Sequence, residues 1–131
     1  MSHTGRVTLD WSSDPLATGL ACYCASQFFE AHEHWEGVWL TLQEPEKSFL
    51  QSLVQVTAAF HHLQADNAAG AISLLRRALN RLSRCPAVFG GIDVASLRAE
   101  IEEWLQAMES TPPTRPPAYP KIRPVDARLE Q

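Results

Sequence analysis

Several things this chain lacks narrow what it can be. It has no apolar run of membrane-spanning length, so a transmembrane helix is not expected. It has no surplus of basic residues: 11 Lys and Arg stand against 15 Asp and Glu, and the formal charge of −4 leaves no general footprint for nucleic acid or anionic lipid. Cysteine is scarce and odd in number. Cys22 and Cys24 lie too close on one expected helix to bridge each other comfortably, so with Cys85 they read as reduced, mostly buried small side chains. Cys-x-Cys without a second pair is only half a zinc site. Near Met1 no charged segment leads into an apolar one with a small-residue cleavage site, which makes a cytoplasmic protein the expectation. There is no phosphate-cradling glycine loop, and Gly90-Gly91 alone reads as a turn.

What remains is the composition of one globular domain. With 131 residues, 45% hydrophobic and 20% charged, the chain can bury a core without disulfides or metal. Residues 1–13 read as an irregular arm with Gly5 and the apolar residues Val7, Leu9 and Trp11, docking through Trp11. Asp14-Pro15 is an N-cap followed by a proline at the first helical position, starting a helix through Leu16, Leu20 and Tyr23. A second helix is expected from about Phe28 to Leu42, with Phe28, His32, Trp35, Trp39 and Leu42 as one inward stripe. Glu44-Pro45-Glu46 repeats the start signal for a third helix. That helix has Phe49, Leu53, Val56, Phe60 and Leu63 on one stripe and Leu50, Val54 and Thr57 beside it, so it should be central.

Asp66-Asn67 caps a fourth helix with Ala71, Leu74, Leu75, Ala78, Leu79 and Leu82 inward, stopped by Pro86. Asp93 caps a fifth, with Leu97, Ile101, Trp104, Leu105 and Met108 inward, ending before Thr111-Pro112. No strand alternation competes, and the reading is all-α throughout residues 14–110. A shift of 40 residues lays Ala31 on Ala71, Trp35 on Leu75 and Trp39 on Leu79. The expected fold is therefore a five-helix bundle of two helical hairpins plus a closing helix, a short α-α superhelix similar to tetratricopeptide-type pairs.

Residues 111–131 form a proline-rich extended tail, with Pro112, Pro113, Pro116, Pro117, Pro120 and Pro124 forbidding helix. Two PxxP spacings offer a ligand for an aromatic groove. The plainer reading, a strap on its own bundle through Tyr119, Ile122 and Val125 or a disordered end, ranks above it.

The densest functional cluster is Phe28-Phe29-Glu30-Ala31-His32-Glu33-His34-Trp35-Glu36. Glu36 lies one turn after His32, and Glu33 borders the same face. The third helix answers with a polar stripe of Gln51, Gln55 and His62. In an antiparallel pair His32 and His62 can approach, and two imidazoles with carboxylates from facing helices make a bundle metal site or an acid–base set. His32, Glu36 and His62 are the candidate ligands, and a divalent metal is the candidate cofactor. The order lacks the His-Glu-x-x-His of a zinc protease helix. The competing reading is a satisfied buried network of His32, Glu36 and Gln55 that specifies packing. Trp35, Trp39 and Trp104 read as core rather than as a stacking platform. Arg76, Arg77, Arg81 and Arg84 form a basic strip that reads as a solvated helix face.

These motifs, in this order, resemble the domain of unknown function 309 family. The run Phe29 through Trp39, then Phe49-Leu50-Gln51-Ser52-Leu53-Val54-Gln55, then His62, then Asn67 through Gly70-Ala71 to Leu74-Leu75, spans about Pro15 to Leu82. The resemblance implies a small all-helical protein of mostly bacterial or archaeal type, in a family whose biochemical function is not established. Its matching positions are Glu30, His32, Glu33, Trp35, Glu36, Trp39, Gln51, Gln55, His62, Asn67 and Gly70. Ser52 departs from the family's glycine and implies a slightly looser helix approach.

Two functional expectations follow. The first is a non-enzymatic binding or scaffold protein with a protein partner or small ligand. The second is a metal-dependent or acid–base hydrolase using the inward His/Glu cluster. A homodimer through Trp11 or the tail is a further expected arrangement.

Overall fold

The structure, a computed structural model, describes residues 9–125; Gly5 and Val7 lie outside them. Five helices follow in order: α1 (Leu16–Cys24), α2 (Phe28–Trp39), α3 (Glu46–Gln64), α4 (Ala68–Leu82) and α5 (Val94–Met108). Consecutive helices pack against one another, α1 on α2, α2 on α3, α3 on α4 and α4 on α5. The protein is a helical bundle, and no helix among the described residues is long and apolar enough to cross a membrane.

Polar caps and tight turns set the helix boundaries. Asn67 Oδ1 accepts from Gly70 N–H at 2.9 Å and Asp93 Oδ1 from Ser96 N–H at 3.1 Å, so both expected caps form. Glu44 Oε1 accepts from Ser48 N–H at 3.1 Å ahead of α3. At α1 the regular turns begin at Leu16, one residue later than a helix with Pro15 at its first position, and Asp14 Oδ1 accepts from Thr18 N–H at 3.0 Å. Helix α2 ends at Trp39, short of Leu42. There Thr41 Oγ1 donates to Val38 O at 2.7 Å, and Thr41 N–H and Leu42 N–H bond three residues back, tightening the chain before Glu44-Pro45.

The repeat is visible in the turns themselves. Ser26 and Asp66 both take positive φ, 62° and 61°. In the first turn Gln27 N–H donates to Cys22 O at 2.8 Å, and in the second Asn67 N–H donates to His62 O at 2.8 Å. Ala31 and Ala71 are fully buried one turn later, as are Trp35 and Leu75. Each hairpin thus closes with the same left-handed residue and the same small contact residue.

Two features correct the sequence reading. A two-residue hairpin, β1 (Val88–Phe89) with β2 (Ile92–Asp93), interrupts the all-α pattern. Gly90 and Gly91 have φ of +59° and +80°, the geometry of a tight hairpin turn that glycine adopts without strain. Cys24 is exposed, and Cys22 and Cys85 are only half-buried, so the cysteines are not the buried set expected.

The arm and the tail share the core with the helices. Trp11 Nε1 donates to Gly90 O at 2.8 Å, and Val125 N–H donates to Gly91 O at 2.9 Å, so both ends of the described chain meet at the hairpin. The segment after α5 is a strap. Tyr23 Oη donates to Pro120 O at 2.5 Å and Trp104 Nε1 to Ala118 O at 2.9 Å, while Ile122 is buried. Tyr119 stacks on Trp104 at 5.3 Å and meets Phe28 and Phe60 edge-on, both at 4.9 Å. Proline suits this segment because it is extended and spends few backbone donors.

Two outcomes follow. Tyr119→Ala removes a ring from this cluster and is expected to lower stability by about 2–4 kcal/mol in urea unfolding; a loss below about 0.5 kcal/mol would show that the strap is not a structural member. The Glu100 carboxylate accepts from Lys121 N–H at 2.7 Å and from Arg123 Nη2 at 2.8 Å. Its partial burial raises its pKa, but those bonds and the Arg123 charge outweigh burial and hold it below the ordinary 4.5. A depressed carboxylate contributes stability above its ordinary value and loses it as pH falls through the folded value. Amide-exchange protection at Val125 should therefore drop on acidification below about 4.5 more steeply in the wild type than in Glu100→Gln.

Candidate functional site

Helix α2 buries Phe28, Ala31 and Trp35, at spacings of three and four residues. The small Ala31 therefore sits at the centre of the inward face, and the neighbouring His32 falls to its flank. His32 is thus not in the core stripe: its side chain is 26% exposed. Trp39 is likewise half-buried. The reason is packing, since the closest helix contact accepts the small Ala31 and an imidazole there would hold the two helices apart.

Contacts along the helix pair fix its register. Phe28 meets Phe60 and Phe29 meets His61 at one end, and Lys47 Nζ lies 4.8 Å over Trp39 at the other. The helices are antiparallel, which puts His32 and Glu36 level with the stretch Gln51 to Thr57. Gln51 and Gln55 are half-buried in that stretch. His62 lies further along, at the Phe28 end.

The structure brings together His32, Glu33 and Glu36. One potential ligand atom from each lies within 4.8 Å of the others, all on one edge of α2. His32 Nδ1 stands 3.9 Å from Glu33 Oε2, beyond hydrogen-bond reach. Glu33 and Glu36 are exposed, so the group opens to solvent and is not an enclosed pair inside the bundle. His62 is not in this group. Its Nδ1 is 3.1 Å from Asn67 Nδ2, tying it to the α3–α4 turn. Gly70 follows on the same cap, where an added Cβ would strike the Asn67 side chain. Glu30 is exposed in the first turn of α2, where the helix dipole favours a carboxylate. Trp35 is fully buried and donates from Nε1 to Leu16 O at 3.3 Å. Ser52 is buried and turns its hydroxyl back onto Phe49 O at 2.5 Å, which satisfies it locally.

Three polar atoms along this helix pair are sealed from solvent without a protein partner: His32 Nδ1, Gln55 Oε1 and Trp39 Nε1. Among the described residues the other such atom is Arg123 Nη1, in the strap. The sequence pointed to His32 and Gln55 as ionisable or polar groups on inward stripes, whereas Trp39 passed as core because an indole counts as apolar in any periodicity. An outer stripe also went unread. Phe29 and Leu40 are 51% and 66% exposed, and with Glu33 and Glu36 they follow helical spacing along the solvent side of α2. The spacing Phe29, Glu33, Glu36, Leu40 was the available signal.

Comparison with known proteins agrees with the motif order. Residues 16–74 match the family described as a domain of unknown function, number 309. An uncharacterized protein of Aquifex aeolicus (strain VF5) is 33% identical over 83 residues, covering 63% of this chain and 25% of that protein. The chain therefore matches about a quarter of the length of that relative.

Asn67→Ala removes the cap on Gly70 N–H and the contact with His62. It is expected to cost about 1 kcal/mol of stability by thermal or urea unfolding, with Asn67→Asp recovering most of it because the carboxylate can still cap. Equal losses in both variants would remove the cap from the explanation.

Proposed function

We propose that this chain is a non-enzymatic binding domain that uses the α2–α3 face to hold a segment of another protein. The observation that carries the reading is the row of sealed, unpartnered atoms: His32 Nδ1, Gln55 Oε1 and Trp39 Nε1. A buried polar atom without a hydrogen bond costs on the order of 1–3 kcal/mol. Such a cost persists in a fold when a ligand group supplies the missing bond. Trp39 and Gln55 are half-buried at the seam, and turned outward their indole N–H and amide carbonyl are complementary to the C=O and N–H of a peptide backbone, while exposed Phe29 and Leu40 on the neighbouring stripe offer apolar contact to its side chains. The repeated helical hairpins support a scaffold role, and the formal charge of −4 argues against nucleic acid or anionic lipid as the partner. A cytoplasmic setting belongs to this reading.

A displayed peptide library panned on the wild type tests it. The expected result is enriched peptides whose affinity falls roughly tenfold or more on His32→Ala and on Phe29→Ala, while both variants melt within a few degrees of the wild type. Peptides indifferent to both substitutions, or no enrichment, would contradict it.

One observation favours a second reading, a divalent-metal site serving hydrolysis: ligand atoms of His32, Glu33 and Glu36 lie within 4.8 Å of one another. An imidazole and two carboxylates suit such an ion, and the same groups can exchange protons with a substrate. Elemental analysis of protein purified without chelator or metal-affinity tag decides it. Near-stoichiometric metal that disappears in Glu36→Gln supports the hydrolase; metal-free protein that also takes up none from added zinc or manganese removes it.

A further inference from the structure

A cleft on the other side of α3 carries chemistry that the α2–α3 face does not use. It lies between the start of α3, the end of α4 and the β1–β2 hairpin, with a volume of about 260 Å³. Its floor is apolar: the Phe49 and Phe89 rings meet edge-on at 5.3 Å, with Pro45, Cys85 and Pro86 around them. Its rim is cationic, formed by Arg81 and Arg84.

The rim arginines differ from most of their neighbours in making no side-chain hydrogen bond among the described residues. Arg76 pairs with Glu109, Arg123 pairs with Glu100, and Arg98 Nη1 donates to Leu82 O at 2.9 Å and to Cys85 O at 2.8 Å. Arg98 thereby satisfies the carbonyls at the end of α4 that Arg84 would otherwise serve. Arg81 and Arg84 have no ion pair within 4.0 Å among the described residues. Glu44 stands at the lip, its Oε1 held by Ser48 N–H, and the bonds from Ser48, with smaller help from the Arg81 charge, lower its pKa. The balance at the opening is two guanidinium groups against one engaged carboxylate.

We infer that this cleft is a binding site for a small organic anion with an apolar body, of the medium-chain carboxylate type. The tail of such a ligand lies on Phe49 and Phe89, and its carboxylate takes the planar donor forks of Arg81 and Arg84. The volume is near the lower end for small-molecule pockets and suits one short chain rather than a folded lipid. This explains why part of the basic strip lies beside aromatic rings. A merely solvated helix face requires no such neighbours.

Titration calorimetry with octanoate, 1-octanol and octylamine is the test. Octanoate is expected to bind at one site, with 1-octanol and octylamine roughly tenfold weaker or worse. The double variant Arg81→Gln/Arg84→Gln should lose roughly tenfold or more in octanoate affinity. Ser48→Leu, which narrows the cleft without touching either arginine, should weaken octanoate as well, and His32→Ala should leave it unchanged. Circular dichroism melts establish that each variant is folded. The inference is overturned by any of three results: octanoate that does not bind, alcohol or amine that binds equally well, or a folded double variant with wild-type affinity.

Discussion

Phe60 has to be covered from several directions at once. It lies on α3, a helix whose buried residues include Phe49, Leu50, Leu53, Val56, Ala59, Phe60 and Leu63, more apolar surface than one neighbouring helix can hide. Around its ring stand Phe28 from α2 at 5.7 Å, Trp104 from α5 at 5.0 Å and Tyr119 from the strap at 4.9 Å. Full burial of such a ring contributes roughly 1.5–3 kcal/mol, and each of these three segments is held in place partly by supplying a wall. The order α1 to α5 follows from this: the α1–α2 hairpin packs on the central helix through α2, α4 folds back on it as its own hairpin partner, and what they leave open is closed by α5 and the strap.

That constraint also fixes where polar groups can go. On α2 the inward positions are taken by Phe28, Ala31 and Trp35, so His32, Glu33 and Glu36 fall to one side and meet solvent. On α3 the same geometry leaves Gln51 and Gln55 at the edge of the contact rather than inside it. The result is a seam with an apolar floor and polar margins, in which Gln55 Oε1 and Trp39 Nε1 are enclosed but unsatisfied. At the opposite side of α3, Phe49 and the hairpin produce a second concavity whose margins are cationic. The central helix thus has two flanks of different chemistry, and both arise from covering it incompletely.

Much of this was legible in the sequence, and the rest was hidden for physical reasons. Asn67 and Asp93 announced their caps because only short side chains with an acceptor satisfy the first free amides of a helix. The repeat of Ala31 on Ala71 was legible, while the matching positive φ of Ser26 and Asp66 was not, since neither residue type requires that conformation. The β1–β2 hairpin escaped because two residues per strand are too short to show alternation, although Gly90-Gly91 between Phe89 and Ile92 had the right turn chemistry. His32 was read as inward because His32, Trp35 and Trp39 share a helical spacing. Periodicity locates a stripe without saying which edge of it is centred, and it was the small Ala31 that decided. The sealed atoms of Gln55 and Trp39 depend on the neighbouring helix, which no local pattern encodes.

Under the proposed function, the polar atoms of the α2–α3 seam are kept for a ligand and not for the fold. The most direct measurement is the urea unfolding free energy of Gln55→Leu and His32→Leu beside the wild type. Replacing an unsatisfied buried polar group by an apolar one of similar shape is neutral or stabilising, so both variants are expected to be at least as stable as the wild type. A loss of more than about 1 kcal/mol in either would place that side chain in the structural network and contradict the claim.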